Sequence, residues 1–397
     1  MRVLIADELS ATSIEGLEAL GLTLDVRPET TAETLPEVVG DAHILIVRST
    51  QVTADVFAAA SELSLVIRAG AGVNTIDLPA ASARGVYVAN CPGRNTAAVA
   101  ELAIGLLIAA DRRLVDASVA LREGRWLKKQ FSVAAGLNGR TLGILGYGAI
   151  GRAVARRAAA LGMRIAAWSR SLTAARAAED DVIYAETPLA LAAMSDAVSV
   201  HLAETAETKH LVNAEFLAAL GPNALLVNTS RGGLVDTQAL REAIDNQGLR
   251  VGLDVFENEP AGGEANFADT GLAATLTGTP HIGAATSEAS EAIATEVVRI
   301  VESFVSTGRP LNTVNLCARS PATHHLVIRH YNQVGVLAGV LDRLRADGLN
   351  VQEMENTIFE GAEAACCTLS LDGPASASTL EQLRENEDIL HVLLESN

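Results

Sequence analysis

The sequence has few aromatic residues and few cysteines. Aromatic residues make up 3 % of the 397 residues and hydrophobic residues 49 %, so we expect a folded protein with an aliphatic core. The longest apolar candidate, Val99 to Ala110, contains Glu101 and is shorter than the roughly 20 residues of a membrane span. The cysteines show neither a disulfide framework nor a metal-ligand spacing, which predicts reduced thiols and no metal site. They are Cys91, Cys317, Cys366 and Cys367.

Basic charge is also scarce. The chain has 30 Lys and Arg against 48 Asp and Glu, a formal net charge of −18. Binding to nucleic acid through bulk electrostatics is therefore disfavoured, although a few local cations could still bind a small anion. The amino-terminal sequence reaches Asp7 too early for the apolar region of a signal peptide, so we expect a cytoplasmic protein with no membrane association.

Short apolar runs alternate with helical patterns over most of the chain, which predicts a parallel α/β fold. The length predicts two or three domains. Strands are expected at Arg2–Ala6, Ile44–Val47, Leu65–Arg68, Thr141–Leu145, Arg164–Trp168, Ala197–His201, Ala224–Asn228 and Gly252–Val255. Thr96–Arg122 is expected to form one long helix and Ser287–Ser306 another, while Glu257–Thr279 is expected to be an irregular loop.

The composition changes after Val314, and Asn312–Pro321 is the expected linker. The following 75 or so residues have the pattern strand, helix, strand, strand, helix, strand, which predicts a ferredoxin-like domain at residues 322–397. Cys366 and Cys367 are adjacent in one of these strands, so their side chains should point to opposite faces of the sheet.

A glycine-rich turn lies between a predicted strand and a predicted helix. Gly146 permits a tight turn, Gly148 lets the backbone approach a pyrophosphate, and Gly151 lets helix and strand pack closely. Ala149 and Ile150 complete the turn, and the helix amino terminus supplies N–H groups for the anion. The pattern in this context predicts dinucleotide binding; a structural glycine turn is the alternative.

The residues after the next strand bear on the choice of cofactor. An Asp or Glu is expected near this point to bind the ribose hydroxyls of NAD, but Trp168–Ala178 contains no carboxylate. Ser169 and Arg170 stand there instead, and an Arg beside a hydroxyl suits a 2′-phosphate. NADP is therefore favoured slightly over NAD.

Polar residues follow three further segments of the predicted sheet. Arg231 and Glu259 come after strands, and His281 precedes a helix, so all three are expected in one cleft. Reduction of a 2-keto acid needs a cation for the carboxylate, which Arg supplies, and a proton donor, which protonated His supplies. A carboxylate on the other imidazole nitrogen would orient the ring.

The motifs GYGAIG, NTSRGGLVD, GLDVFENEP and PHIGAAT together resemble those of the D-isomer-specific 2-hydroxyacid dehydrogenase family. The resemblance covers residues 1–315 and implies two doubly wound, Rossmann-like parallel-sheet domains. It implies a substrate-binding domain at 1–95 and 282–315, a dinucleotide-binding domain at 96–281, and a dimerisation helix from Thr96. Arg231 then resembles the arginine that binds the substrate carboxylate, Glu259 the orienting acid and His281 the proton donor. The expected cofactor-binding residues also include His201, Thr229, Ser230, Asp254, Gly283 and Ala284, with Asp254 near the nicotinamide carboxamide.

Two further groups of residues indicate the substrate. Arg48 and Arg68 follow short strands of the predicted substrate domain, where two guanidinium groups would suit a phosphate. The residues concerned resemble the substrate-binding ones of family members that act on a phosphorylated 2-hydroxy acid. They are Arg48, Ser49, Arg68, Gly70, Gly72, Val73 and Lys128. The alternatives are an NADP-dependent reductase of an unphosphorylated 2-keto acid and a dinucleotide-sensing protein without catalysis.

The carboxy-terminal segment resembles an ACT domain, a small-molecule regulatory module. In family members that are inhibited by L-serine, a His and an Asn of the first turn and an Asn after the first helix bind the effector. His330, Asn332 and Asn350 match these positions, and Val334 stands where a proline is usual. The resemblance implies an amino-acid effector and a homodimer or homotetramer; a purely structural dimerisation module is the alternative.

Overall fold

Two units, Met1–Asn315 and Leu316–Asn397, make up the chain in a computed structural model. The structure describes residues 1–260 and 265–396. Among the described residues, no helix combines the length and the apolar character that crossing a bilayer would need.

The amino-terminal part of the first unit is a five-stranded parallel sheet with the order β2-β1-β3-β4-β5. This is a doubly wound order. Its strands are β1 (Arg2–Ile5), β2 (Thr23–Val26), β3 (Ile44–Val47), β4 (Leu65–Arg68) and β5 (Tyr87–Asn90). The helices between them are α1 (Ala11–Ala19), α2 (Leu35–Val39), α3 (Ala54–Ala59) and α4 (Leu78–Ala83). All four residues of β3 are buried, because both faces of the sheet are covered.

The second sheet has seven strands, and each pair of neighbours is parallel. Its strands are β6 (Thr141–Leu145), β7 (Arg164–Trp168), β8 (Ile183–Tyr184), β9 (Ala197–Val200), β10 (Leu225–Asn228), β11 (Arg250–Leu253) and β12 (Thr277–Gly278). The order β12-β11-β10-β9-β6-β7-β8 places a topological switch point between β6 and β9, where a doubly wound sheet binds its ligand.

Nine helices accompany the second sheet within the described residues. They are α5 (Thr96–Arg112), α6 (Leu114–Arg122), α7 (Lys128–Phe131), α8 (Ala149–Ala160), α9 (Ala174–Glu179), α10 (Pro188–Ala193), α11 (Ala214–Ala219), α12 (Thr237–Gln247) and α13 (Thr270–Ala273). The prediction of one continuous helix over 96–122 is wrong. Arg113 adopts a left-handed conformation with φ of 51°, which ends α5 and starts α6 in a new direction.

The helix α14 (Ser287–Thr307) follows the second sheet in sequence but packs on the first. Ile293, Val297 and Ile300 lie in one apolar cluster with Val3 and Ile5 of β1. Thr286 caps the helix by accepting from the N–H of Ala289, and Gly308 ends it at a positive φ. The five-stranded sheet is therefore completed by a distant part of the chain, and the domain boundaries at residues 95 and 282 stay a prediction.

The second unit has the predicted order of strands and helices. Its elements are β13 (His324–Tyr331), α15 (Val336–Ala346), β14 (Val351–Ile358), β15 (Ala364–Leu371), α16 (Ala377–Arg384) and β16 (Ile389–Ser396). The sheet order is β14-β15-β13-β16, with antiparallel pairs. Cys367 is buried in the apolar core and Cys366 is half-buried, as the alternation along a strand predicts. The predicted fold class is confirmed.

The expected irregular loop at Glu257–Thr279 is wrong in part. Within it, Asp269 caps the short helix α13 by accepting from the N–H of Leu272, and β12 adds a seventh strand to the sheet. Residues 261–264 of this stretch lie outside the described residues.

Candidate active site

The glycine-rich turn joins β6 to α8 at the switch point of the second sheet. Gly146 has φ of 107°, and a Cβ there would lie 2.5 Å from the His201 carbonyl oxygen. A Cβ on Gly151 would lie 2.2 Å from the Gly146 carbonyl oxygen. Gly148 precedes the first helical residue, and a Cβ there would meet open space. The start of α8 therefore borders open space at Gly148, where a pyrophosphate could approach the helix amino terminus.

Two buried polar atoms beside this turn have no hydrogen-bond partner among the described residues. They are Oγ1 of Thr229, after β10, and Nδ1 of His201, after β9. The other ring nitrogen of His201 lies 2.8 Å from the Ser199 hydroxyl, and burial lowers the pKa of His201 to about 3. A neutral imidazole and a free hydroxyl at the switch point fit a dinucleotide, whose polar groups could bind them.

The cofactor-selecting residues stand at the end of β7. Ser169 is half-buried and Arg170 is exposed. The pKa of Glu207, in the segment after β9, is lowered mainly by the Thr205 hydroxyl, with a smaller contribution from Arg170. Arg170 therefore lies near the loop that follows β9, on the side of the sheet where an adenosine ribose is expected.

His281 and Glu259 form a hydrogen-bonded pair. Nδ1 of His281 lies 2.7 Å from Oε1 of Glu259, and the two side chains are 48 % and 34 % exposed. Burial on its own raises the pKa of Glu259, but the hydrogen bond and the charge of His281 hold it below its usual value. An ionised carboxylate can only accept, so Nδ1 is the donor and Nε2 is left for the substrate.

Asp254 is bonded to the segment that carries His281, and its expected position near the nicotinamide stays a prediction. Its side chain is buried, and both carboxylate oxygens are used by the segment that carries His281. Oδ1 accepts from the Thr279 hydroxyl at 2.6 Å and from the Ile282 N–H at 2.8 Å, while Oδ2 accepts from the Gly283 N–H at 2.8 Å. Asp254 therefore fixes the loop around His281, which itself adopts φ of 54°.

Arg231 leaves the end of β10 and reaches residues that follow β4 of the first sheet. Its Nε donates to Oδ1 of Asn74 at 3.4 Å, and its Nη1 donates to the Ser230 carbonyl at 2.6 Å. A Cβ on Gly72 would lie 2.2 Å from Nη2 of Arg231. Gly72 is thus required for the guanidinium to lie against this backbone.

Arg68 and Arg48 lie beside Arg231. Nε of Arg68 donates to the Arg48 carbonyl at 3.0 Å, and the Arg68 guanidinium covers Gly70 so closely that a Cβ there would lie 1.9 Å from Nη1. Burial lowers the pKa of Arg68 first, and the charges of Arg231 and Arg48 lower it further. Three guanidinium groups that repel one another in one place form a site for anions.

Asp7 already binds the backbone next to Arg48. Its Oδ2 accepts from the N–H groups of Arg48, Ser49 and Thr50 at 2.7, 3.1 and 3.0 Å. An added anion at this turn would therefore be bound by side chains rather than by these amides. Sequence reasoning missed Asp7, because an Asp after a first strand matches no motif.

The remaining predicted residues, apart from Lys128, are next in sequence to the site residues described above. Ala149 and Ile150 begin α8, and Val73 follows Gly72. The Ser230 hydroxyl donates to the Val200 carbonyl at 2.8 Å. Ala284 follows Gly283, whose N–H is bonded to Asp254. Lys128 begins α7 and is exposed, with no described contact to the arginine group.

Within a single chain, the three predicted effector residues of the second unit do not lie together. His330 is in β13 rather than in a turn, is 2 % exposed, and is bonded to the Tyr331 carbonyl and to Asn356. Asn332 is exposed after β13, and its amide donates to the Ala362 carbonyl. Asn350 precedes β14, which runs parallel to β13, so it lies about 20 Å along the sheet from His330. These three residues therefore do not form one compact site within a single chain, and their role as effector ligands stays a prediction.

Comparison with known proteins identifies the family. Residues 104–283 match the model of the NAD-binding domain of D-isomer-specific 2-hydroxyacid dehydrogenases. A hydroxypyruvate reductase of Thermotoga maritima is 39 % identical over 66 % of this chain and 85 % of its own length. The chain belongs to the D-isomer-specific 2-hydroxyacid dehydrogenase family.

Two other relatives of the chain are informative. A D-3-phosphoglycerate dehydrogenase of Methanocaldococcus jannaschii is 37 % identical over 80 % of the chain. The chain spans 60–66 % of the length of the first curated relatives it matches. A crystal structure of an NADPH-dependent glyoxylate/hydroxypyruvate reductase of Sinorhizobium meliloti, in complex with NADP and malonate, has a TM-score of 0.67 and 33 % identity. It covers 79 % of this chain and 96 % of its own.

Proposed function

We propose that the chain is a D-3-phosphoglycerate dehydrogenase, which exchanges a hydride between 3-phospho-D-glycerate and NAD(P)⁺ and gives 3-phosphohydroxypyruvate. This is the first step of L-serine biosynthesis. The observation that carries the proposal is the group formed by Arg48, Arg68 and Arg231, in which Arg231 is near enough to Glu259 for its charge to lower the pKa of that carboxyl. One guanidinium suffices for a carboxylate, and the other two provide for a second anionic group, the phosphate.

The residues have separate tasks in the oxidation of the hydroxy acid. Arg231 binds the carboxylate and holds C2 in place. Neutral His281 accepts the hydroxyl proton at Nε2, and Glu259 stabilises the imidazolium through Nδ1. A bound nicotinamide dinucleotide supplies the hydride acceptor. In the reverse direction protonated His281 returns the proton to the developing alkoxide, while Arg48 and Arg68 hold the phosphate throughout.

The dinucleotide would be held by the Gly146–Gly151 turn, with Thr229 and His201 close to it. We infer a slight preference for NADP, because Arg170 is exposed at the end of β7 and a guanidinium binds a 2′-phosphate well.

A reductase of unphosphorylated 2-keto acids is the second candidate. Arg170 favours it, since a preference for NADPH is typical of reduction, and two of the relatives are named hydroxypyruvate or glyoxylate/hydroxypyruvate reductases. The additional guanidinium groups favour the first candidate, because glyoxylate and hydroxypyruvate carry only one anionic group.

Initial rates would separate the two. Reduction of 3-phosphohydroxypyruvate and of hydroxypyruvate is measured with NADH and with NADPH. A large kcat/KM advantage for the phosphorylated substrate is expected, with NADPH somewhat better than NADH. Equal or faster turnover of hydroxypyruvate would establish the reductase instead.

The Arg48→Ala variant gives an independent test. It should raise the KM for 3-phosphohydroxypyruvate by about 10- to 100-fold, the usual cost of a lost hydrogen bond to a charged group. The KM for hydroxypyruvate should change little. Arg84→Ala removes an exposed arginine after α4 and serves as the control. A similar change for both substrates would contradict a phosphate-binding role.

We also propose that the second unit binds an amino-acid effector, L-serine, and that the dehydrogenase is a homodimer or homotetramer. The ferredoxin-like order of the unit supports the first point. Exposed apolar residues on α6, among them Leu114, Val115 and Leu121, support the second. Rates that do not change across millimolar L-serine would exclude the effector, and a monomer in sedimentation velocity would exclude the oligomer.

A further inference from the structure

The loop after β11 carries a second carboxylate–imidazole pair. Oε1 of Glu257 lies 2.6 Å from Nε2 of His210, and two residues later Glu259 binds His281. The carboxylate can only accept, so Nε2 of His210 is the donor. Hydrogen bonds to charged groups are stronger than neutral ones, so this pair can hold a loop in place.

His210 belongs to a segment that is bonded to the turn after β10. Its N–H donates to the Gly233 carbonyl at 2.8 Å, and Val212 exchanges hydrogen bonds of 3.0 and 3.1 Å with Leu234 and Asp236. The 3₁₀ turn Gly232–Leu234 therefore has a fixed support on one side.

The other side of this turn contacts the loop itself. A Cβ on Gly232 would lie 2.0 Å from the carbonyl group of Phe256 and 2.4 Å from the nitrogen of Glu257. The second oxygen of Glu257 accepts from the N–H of Thr237, at the start of α12, at 3.3 Å. Glu257 therefore bonds the loop both to His210 and to the start of α12.

Glu259 has little support of its own. Apart from His281, its carboxylate accepts one long bond among residues 1–260 and 265–396, of 3.3 Å from the N–H of Phe256 in the same loop. The position of Glu259 therefore depends on how the loop at Phe256–Glu259 is anchored.

We propose that Glu257 and His210 are positioning residues, which hold this loop against the Gly232–Leu234 turn so that Glu259 reaches His281. In this proposal the pair acts through Glu259 rather than on the substrate or the cofactor. This inference rests on the proposed function only in that the Glu259–His281 pair transfers the proton.

A double-mutant cycle tests the proposal. Glu257→Gln should lower kcat/KM for keto-acid reduction by up to about 100-fold, the effect of displacing a catalytic group by about 1 Å. In a Glu259→Gln background, the same change should have less than about a twofold effect, the usual error of additivity. Equal losses in both backgrounds would overturn the proposal. Glu242→Gln, which alters an exposed carboxylate bonded to Gln238 on α12, is the matched control.

Variants of His210 separate positioning from folding. His210→Gln keeps a donor for Glu257 and should restore most of the activity that His210→Leu loses, at equal melting temperature and equal dinucleotide affinity. Equal losses in the two variants would contradict the role of the hydrogen bond.

A substrate-free measurement distinguishes failure of this proposal from failure of the proposed function. The Nδ1 proton of His281 should give a downfield NMR signal, which Glu259→Gln removes. Glu257→Gln and His210→Leu should weaken or shift it, and Glu242→Gln should not. An unchanged signal would overturn the positioning role even if the enzyme proved inactive on every keto acid tested.

Discussion

Three carboxylates lie within six residues of one another after β11, and each has different partners. Asp254 is buried and accepts three bonds from the His281 loop, Glu257 accepts from His210 and Thr237, and Glu259 accepts from His281. The same functional group thus fixes a backbone, anchors a loop and orients an imidazole. What differs is burial and the number of donors around each oxygen.

His201 makes a residue-scale prediction about acid stability. Its pKa is about 3 in the folded chain and about 6.5 when unfolded, so the unfolded chain binds the extra proton between these values. The free energy of unfolding should therefore fall as the pH falls from about 6.5 towards 3, by up to about 1.4 kcal/mol per pH unit. Denaturant unfolding of His201→Gln should show a shallower decrease.

Exposed His391 supplies the control for this experiment. His391→Gln should leave the slope as in the wild type. If His201→Gln and the wild type lose stability in parallel over this pH range, burial does not keep His201 neutral.

Residue-level reasoning from sequence placed Arg231, Glu259 and His281 in one cleft, because polar residues after parallel strands meet at one sheet edge. The contact of Glu259 with His281 agrees with that expectation. The partners of Asp254 and the supports from His210 and Asp7 could not be predicted in this way. They depend on loop paths and on backbone N–H groups, which carry no side-chain signature.

At the scale of elements, the β6–α8 junction shows two different uses of glycine. Gly151 has no space for a Cβ, since the Gly146 carbonyl lies against it, whereas the space around Gly148 is open. Gly151 is needed for packing, and Gly148 for access of a ligand.

Substitution of Gly151 should therefore affect stability, whereas substitution of Gly148 should affect cofactor binding. Gly151→Ala should lower the melting temperature by several degrees, because the added methyl forces α8 away from β6. Gly148→Ala should leave the melting temperature unchanged but weaken NADPH binding, as measured by quenching of protein fluorescence. Similar losses of stability in both variants would contradict this assignment.

Most strands could be predicted at the level of elements, since buried parallel strands are continuous apolar runs. β3, β4, β6 and β7 have the predicted bounds. The short or half-exposed strands β2, β5, β8 and β12 were missed, because their identity depends on a neighbouring strand. The break between α5 and α6 could not be predicted, because no Gly or Pro stands there in the sequence. The residue in the left-handed conformation is Arg113, which forms an ion pair with Asp116.

At the scale of the whole molecule, the chain consists of two units with separate apolar cores. The core of the second unit includes Leu326, Ile328, Leu369 and Leu383, all contributed by residues after 316. Its start was predicted from the change of composition after Val314, and its order of elements from the pattern of apolar runs and helical segments that follows.

Separate cores predict separate folding. A fragment comprising residues 316–397 should give a cooperative thermal transition by circular dichroism and a dispersed NMR spectrum. The fragment 1–315 should keep its dinucleotide affinity. A disordered 316–397 fragment, or a 1–315 fragment that loses the cofactor, would show that each unit needs the other.

The position of α14 in the sequence affects how the protein is made. The face of the first sheet that contains Val3 and Ile5 is covered in part by α14, but the ribosome reaches residue 287 long after residue 90. At a translation rate of about 5–20 residues per second, part of that apolar face stays uncovered for roughly 10–40 seconds before α14 is synthesised. The seven-stranded sheet, encoded between Thr141 and Gly278, is complete before α14 emerges. During translation the seven-stranded sheet should therefore be able to fold before the first sheet is completed by α14.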